Sequence, residues 1–207
     1  KFLGVVIDET LCWKDHVKFI KNKIAKVIGI LCKCRKLLYK STLLSLYNSF
    51  LLPYLTYSIE LWGSVATVIL HPVIILQKKA LRIICNVHPR TSSAQLFIDN
   101  NILTLEKNYQ LKVLNFMYKY NNNMLPSIFN DLYVRNADIH EYHTRQAANL
   151  HVPQPHSLSI SRSIRYRGVH LWNALPLTTR SSSSYFTFKK IVKSYLLITD
   201  IPLFPVS

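Results

Sequence analysis

The chain has 207 residues, and 26 lysines and arginines against 10 aspartates and glutamates give it a formal charge of +16. That balance points to acidic partners, while 49% hydrophobic and only 17% charged residues exclude a disordered basic tail, which lacks the apolar surface to build a core. With 4 glycines and no G-x-G-x-x-G, G-x-x-x-x-G-K-[ST], H-E-x-x-H or G-x-S-x-G, four common catalytic signatures are absent together.

Lys1-Phe2-Leu3-Gly4 has neither an initiator Met nor a signal-peptide pattern, and it reads as the interior of a longer protein. Phe2 to Ile7, a β-branched run ending in acidic turn residues, predicts a short strand. Asp8 is expected to stabilise the turn or the helix start that follows, rather than to hold a metal. From Trp13 to about Leu38, Val17, Ile20, Ile24, Val27 and Leu31 recur at spacings of 3 and 4, one face of a helix. Lys14, Lys18, Lys21 and Lys36 cluster roughly opposite that stripe, with Lys26 and Lys33 on its flank. Such a face is often merely solvated, but Asp15 is the only carboxylate near it, which favours contact with phosphate. Cys12, Cys32, Cys34 and Cys85 are too few and too irregular for a disulfide framework, and they read as free thiols in a reducing compartment.

Residues 41–59 and 61–77 carry no charge and approach the length of a membrane span. Against a membrane hairpin, Ser41, Thr42, Ser45, Asn48 and Ser49 share one arc of the first segment, and His71-Pro72 interrupts the second. A helix is expected over Val73–Val87, with Gln77, Lys78, Lys79 and Arg82 in one region. Another is expected over Thr104–Asn121, stopped by Asn121-Asn122-Asn123, and a short one from Pro126 to Leu132. Residues 136–163, rich in His, Pro, Ser and Asn, read as a linker or short strands. His140, His143, His151 and His156 are spaced 3, 8 and 5 apart, which fits no tight ligand pair, so they are read as solvated. Order returns in a β-containing stretch from Ile164 to Leu175 and a lysine-bearing amphipathic helix from Ser184 to Leu197. Trp13, Trp62 and Trp172 are assigned to the core.

Several stretches together resemble the C-terminal part of reverse transcriptases from non-LTR (LINE-type, jockey-like) retrotransposons. The resemblance rests on Lys1 to Asp8 with Leu11-x-Trp13-x-x-His16, on Leu52-Pro53-Tyr54-Leu55-Thr56-Tyr57 with Trp62-Gly63, and on Leu76-Gln77-Lys78-Lys79-Ala80-x-Arg82. It continues through Tyr118-Lys119-Tyr120, Leu125-Pro126, Thr144-Arg145 and Arg165-Tyr166-x-Gly168-x-x-x-Trp172-Asn173-x-Leu175-Pro176, covering nearly the whole chain. In that family a paired Asp-Asp on the palm holds two divalent ions, and the palm motifs lie N-terminal to the Leu-Gly element. Here no Asp-Asp occurs.

The resemblance therefore implies a share of template–primer binding rather than catalysis: no catalytic residue and no cofactor in this chain, with magnesium implied for the full-length enzyme. The expected fold is α+β and mostly helical, with a palm-edge strand and turn (1–12), a helical thumb-like bundle (13–135), a linker-like segment (136–163) and a small β-containing C-terminal region (164–207). Lys14, Lys18, Lys21, Lys26, Lys33 and Lys36 are the first candidates to follow the phosphates of an RNA–DNA hybrid, with Lys78, Lys79 and Arg82 next. Arg162, Arg165 and Arg167, interleaved with Ser163, Ile164 and Tyr166, are expected to line one strand face toward phosphate. The implied partners are RNA, DNA and a palm and fingers region, with no membrane, and the implied location is intracellular, nuclear or cytoplasmic. Two other functions stand beside this one: a stand-alone or relic basic module without activity, and the membrane hairpin.

Overall fold

The computed structural model describes residues 1–139 and 149–201. His140, His143, Thr144 and Arg145 lie outside the described residues. The rest is mostly helical, in two compact units, Lys1–Tyr109 and Gln110–Ser207.

The first unit does not begin with the expected strand over 2–7. Phe2 and Val5 exchange two backbone hydrogen bonds of 2.8 Å around Leu3 (φ 44°) and Gly4 (φ 85°). Two successive left-handed residues make a tight reverse turn, for which glycine carries no Cβ penalty. What remains of the strand is a single bridge. Asp8 then organises the approach to the first helix. One carboxylate oxygen accepts from the Thr10 hydroxyl at 2.7 Å and the Cys12 amide at 2.8 Å, and the other accepts from the Trp13 amide at 3.0 Å. These bonds hold Leu11 (φ 52°) and Trp13 (φ 62°) in the left-handed region just before helix α1, Lys14–Cys34.

Helix α1 buries Val17, Ile20, Ile24, Val27 and Leu31, the stripe its spacing predicts, together with His16 and Ile28. Helix α2 (Lys40–Leu46) runs through a π turn (Tyr47–Leu51) into α3 (Leu52–Thr56). Leu43, Tyr47, Leu51 and Leu55 are all buried here, four residues apart. At 100° per residue a four-residue repeat drifts 40° per step from an ordinary helix. The wider turn at 47–51 unwinds the segment where that drift accumulates, which keeps one face on the core. Helix α4 (Ile59–Trp62) follows Ser58, itself left-handed at φ 49°.

Helix α5 (Thr67–Ile84) starts six residues earlier than the expected Val73 and holds Pro72 in its second turn. The carbonyl that Pro72 leaves without a helical donor belongs to Val68, a residue 84% exposed, so water can serve it. Helices α1 and α5 pack against each other, and α5 turns Leu70, Val73, Ala80, Leu81, Ile83 and Ile84 inward. The polar exception is Gln77, 1% exposed. Its amide donates to the Tyr47 hydroxyl at 3.0 Å and the Leu103 carbonyl at 2.9 Å, and its oxygen accepts from the Leu105 amide at 2.9 Å. One side chain thereby ties α5, the π turn and the segment entering α7. Helix α6 (Ala94–Asp99) and the first residues of α7 (Leu105–Asn121) complete this unit. No helix among the described residues is long and apolar enough to cross a membrane.

The second unit takes α7 from Gln110 onward, and Asn123 (φ 54°) lies just past the helix end. A 3-10 turn, Ser127–Phe129, replaces the short helix expected after Pro126. Helix α8 (Asn136–Ile139) and a bridge between Arg135 and Leu150 follow. The Asn173 side chain holds Leu150 from both ends, donating to its carbonyl at 2.8 Å and accepting from its amide at 3.1 Å.

Helices α9 (Leu158–Arg162), α10 (Ile164–Ala174), α11 (Leu177–Arg180) and α12 (Tyr185–Ile198) form the remainder. The expected β-containing C-terminal region is thus helical, and among the described residues the only β pairing is the two isolated bridges. Its core brings the Phe188 ring to 4.4 Å from that of Tyr118 and 5.9 Å from that of Trp172. Trp13, Trp62 and Trp172 are all buried, as expected.

Candidate nucleic-acid interface

The cationic face of α1 follows from the same periodicity that builds the core. Its apolar side chains occupy one arc, and Lys14, Lys18, Lys21, Lys26 and Lys33 are all exposed on the remainder. Lys14, Lys18 and Lys21 recur at i, i+4 and i+7, so they form one row, and Lys26 and Lys33 form a second. Lys36 lies beyond the helix in the turn after Arg35, also exposed. None of the six ammonium groups hydrogen-bonds or ion-pairs with another described residue. Asp15, in the first turn, is the one acidic side chain of the helix. A row of exposed, uncompensated ammonium groups on a rigid helix repels itself and attracts polyanions.

The other candidates are not equivalent. On α5, Lys79 is exposed and Lys78 half-buried. Arg82, half-buried, donates Nε to the Thr91 carbonyl at 2.8 Å and so braces the loop after α5. In the second unit Arg162 ends α9, Ser163 caps α10, and Arg165 and Arg167 lie two positions apart on α10. Positions i and i+2 of a helix face different ways, so the common strand face expected for the three arginines does not exist. Arg165 is exposed, whereas Arg167 is buried at 3% and directs Nε toward the Ser161 carbonyl at 3.4 Å. Of the aromatic residues beside these arginines, Trp172 belongs to the core, and Tyr166 packs on His170 with ring centroids 4.5 Å apart.

Several cations outside the expected set are also exposed. Arg35 precedes Lys36 in the connection from α1 to α2, and Lys40 opens α2 next to Tyr39 at 86% exposure. Lys189 and Lys190 are exposed on α12, while Lys193 is half-buried, its ammonium pKa lowered by desolvation and by the charge of Lys189. The density of basic residues through positions 33–40 is the sequence signal for the first group. Lys23 escapes the wheel argument because its position lies toward the apolar stripe; its ammonium sits 5.5 Å from the centre of the Phe19 ring.

Asp8 serves the turn that follows it. Both of its oxygens hold donors from the following turn, and those bonds keep its carboxyl well below the usual carboxylate range. Among the described residues no group of three or more His, Cys, Asp or Glu could hold a metal ion, and all four cysteines are free.

Fold and site together define a mostly helical protein whose first long helix carries an uncompensated cationic face. Comparison with protein families, with curated proteins and with solved structures returned no match.

Proposed function

We propose that this chain grips nucleic acid through its phosphates, serving as the template–primer-binding, C-terminal portion of a LINE-type reverse transcriptase whose catalytic carboxylates and magnesium belong to a palm. The uncompensated lysine face of α1 carries this reading: Lys14, Lys18, Lys21, Lys26 and Lys33 are exposed on one helix whose opposite side is anchored in a core. Phosphate contact of this kind is indifferent to sequence and releases counterions, so its signature is salt dependence. In the reverse-transcriptase reading the bound form is an RNA–DNA hybrid, held by charge and helical shape.

The test is a titration of the chain with labelled RNA–DNA hybrids of unrelated sequence across a salt series. Similar affinities for all sequences, each falling linearly on a log–log plot with a slope of several counterions, are the expected result. A binding curve that stays flat at low salt would remove the interface. Nucleotide incorporation by the purified chain would overturn the assignment of catalysis to another region.

A further inference from the structure

Within the first unit, a cleft of about 390 Å³ lies beside the N-terminal half of α1. Phe19, Tyr54 and Tyr57 supply its aromatic wall, and His16, Lys1 and Lys23 also line it. The Lys1 and Lys23 ammonium groups stand 4.8 and 5.5 Å from the centre of the Phe19 ring. A cleft of this size, mostly apolar with a few convergent polar groups, has the character of a binding site.

His16 adds an unanswered donor. The imidazole, 2% exposed, is held edge-on between the Trp13 and Trp62 rings, with centroids 6.2 and 5.5 Å away. Its Nδ1 accepts from the Val6 amide at 3.2 Å, which assigns the ring proton to Nε2. That buried N–H has no acceptor among the described residues. A buried donor without a partner calls for an explanation, and a ligand atom in the cleft His16 lines would supply one. Position narrows the ligand class. Lys23 lies between Lys21 and Lys26 in sequence, on the helix that carries the cationic face. Phe19, Lys26 and Lys33 fall at i, i+7 and i+14, so a strand following the Lys26–Lys33 row leads to the Phe19 wall of the cleft, on roughly the opposite side of α1 from Lys14, Lys18 and Lys21.

We propose that the cleft takes one unpaired nucleobase from the bound strand. The base stacks on Phe19 and Tyr54, an acceptor on its edge meets the His16 Nε2–H, and Lys23 meets the neighbouring phosphate. This rests on the nucleic-acid reading above and adds to it a site for a single base.

The test compares three probes with the 207-residue chain: a blunt RNA–DNA hybrid, the same hybrid with a short single-stranded overhang carrying 2-aminopurine, and one whose overhang is abasic at that position. The fluorescent base should be quenched on binding, and the base-bearing overhang should bind roughly ten- to a hundredfold more tightly than the abasic one. Phe19→Leu and Tyr54→Leu, which keep apolar volume but remove the rings, should abolish both effects while leaving blunt-hybrid affinity and its salt slope unchanged. Equal binding of base-bearing and abasic overhangs, or quenching that survives both substitutions, overturns the cleft assignment and leaves the phosphate interface standing. Failure of all three probes to bind overturns both.

Discussion

Replacing Lys14, Lys18 and Lys21 together with glutamine probes the interface along its straightest row. The three positions span seven residues, about 10 Å at 1.5 Å per residue. One nucleic-acid strand presents a phosphate about every 3.4 Å, so the row has room for three phosphates. Each ammonium removed should flatten the slope of log affinity against log salt by about 0.9, so three should remove about 2.7. Between 50 and 200 mM salt, roughly 0.6 log units, wild-type affinity should then fall about 40-fold further than that of the triple variant. Fluorescence anisotropy with a labelled RNA–DNA hybrid across that range measures both slopes. Glutamine is nearly as good a helix former as lysine, and the positions are exposed, so the melting temperature should hold or rise slightly as the like-charge repulsion is relieved. Equal slopes for the two proteins would refute the argument and leave the lysines as an ordinary solvated face.

Four further outcomes concern the scaffold. Gln77→Leu leaves the buried Tyr47 hydroxyl and Leu105 amide without this partner, and urea unfolding should register a loss of about 3 kcal/mol. Gly63→Ala would place a Cβ 2.7 Å from both the Ile59 carbonyl oxygen and Tyr109 Cδ2, costing about 1–3 kcal/mol. Gly29→Ala, exposed on α1 with nothing within 4 Å of its Cβ position, should stabilise by up to about 1 kcal/mol, and thermal melts of the two should move in opposite directions. Burial lowers the imidazole pKa of His16 and of His170 below 6.5. The unfolded chain therefore takes up their protons first on acidification: stability should be full above pH 6.5 and decline as pH falls below it. A midpoint in urea that does not change between pH 7 and pH 5 would contradict this.

The parts legible from sequence are those written in long periods. Five apolar positions at spacings of 3 and 4 locate α1, and the lysines follow because the same wheel places them. The N-terminal strand fails on one residue, since Gly4 in an otherwise β-branched run makes room for left-handed backbone, and the chain turns back within four residues. The C-terminal region fails differently. Gly168, Leu171, Trp172 and Leu175, all buried, fall at helical spacing, but Arg165 and Arg167, two apart around Tyr166, read as one face of a strand. What no periodicity could supply is the role of single polar groups, Gln77 and His16, whose partners lie far along the chain: Leu103 and Leu105 for the first, and Trp62 beside the second.

The π turn at Tyr47–Leu51 makes this stretch sensitive to length in a way composition does not reveal. Deleting one residue from it would restore ordinary winding locally and roll every downstream side chain through about 100°, carrying Leu55 off the core it now fills. Exchanges of one aliphatic residue for another should be absorbed there, whereas an indel should unseat the whole segment, and a one-residue deletion read by thermal melting separates the two tolerances.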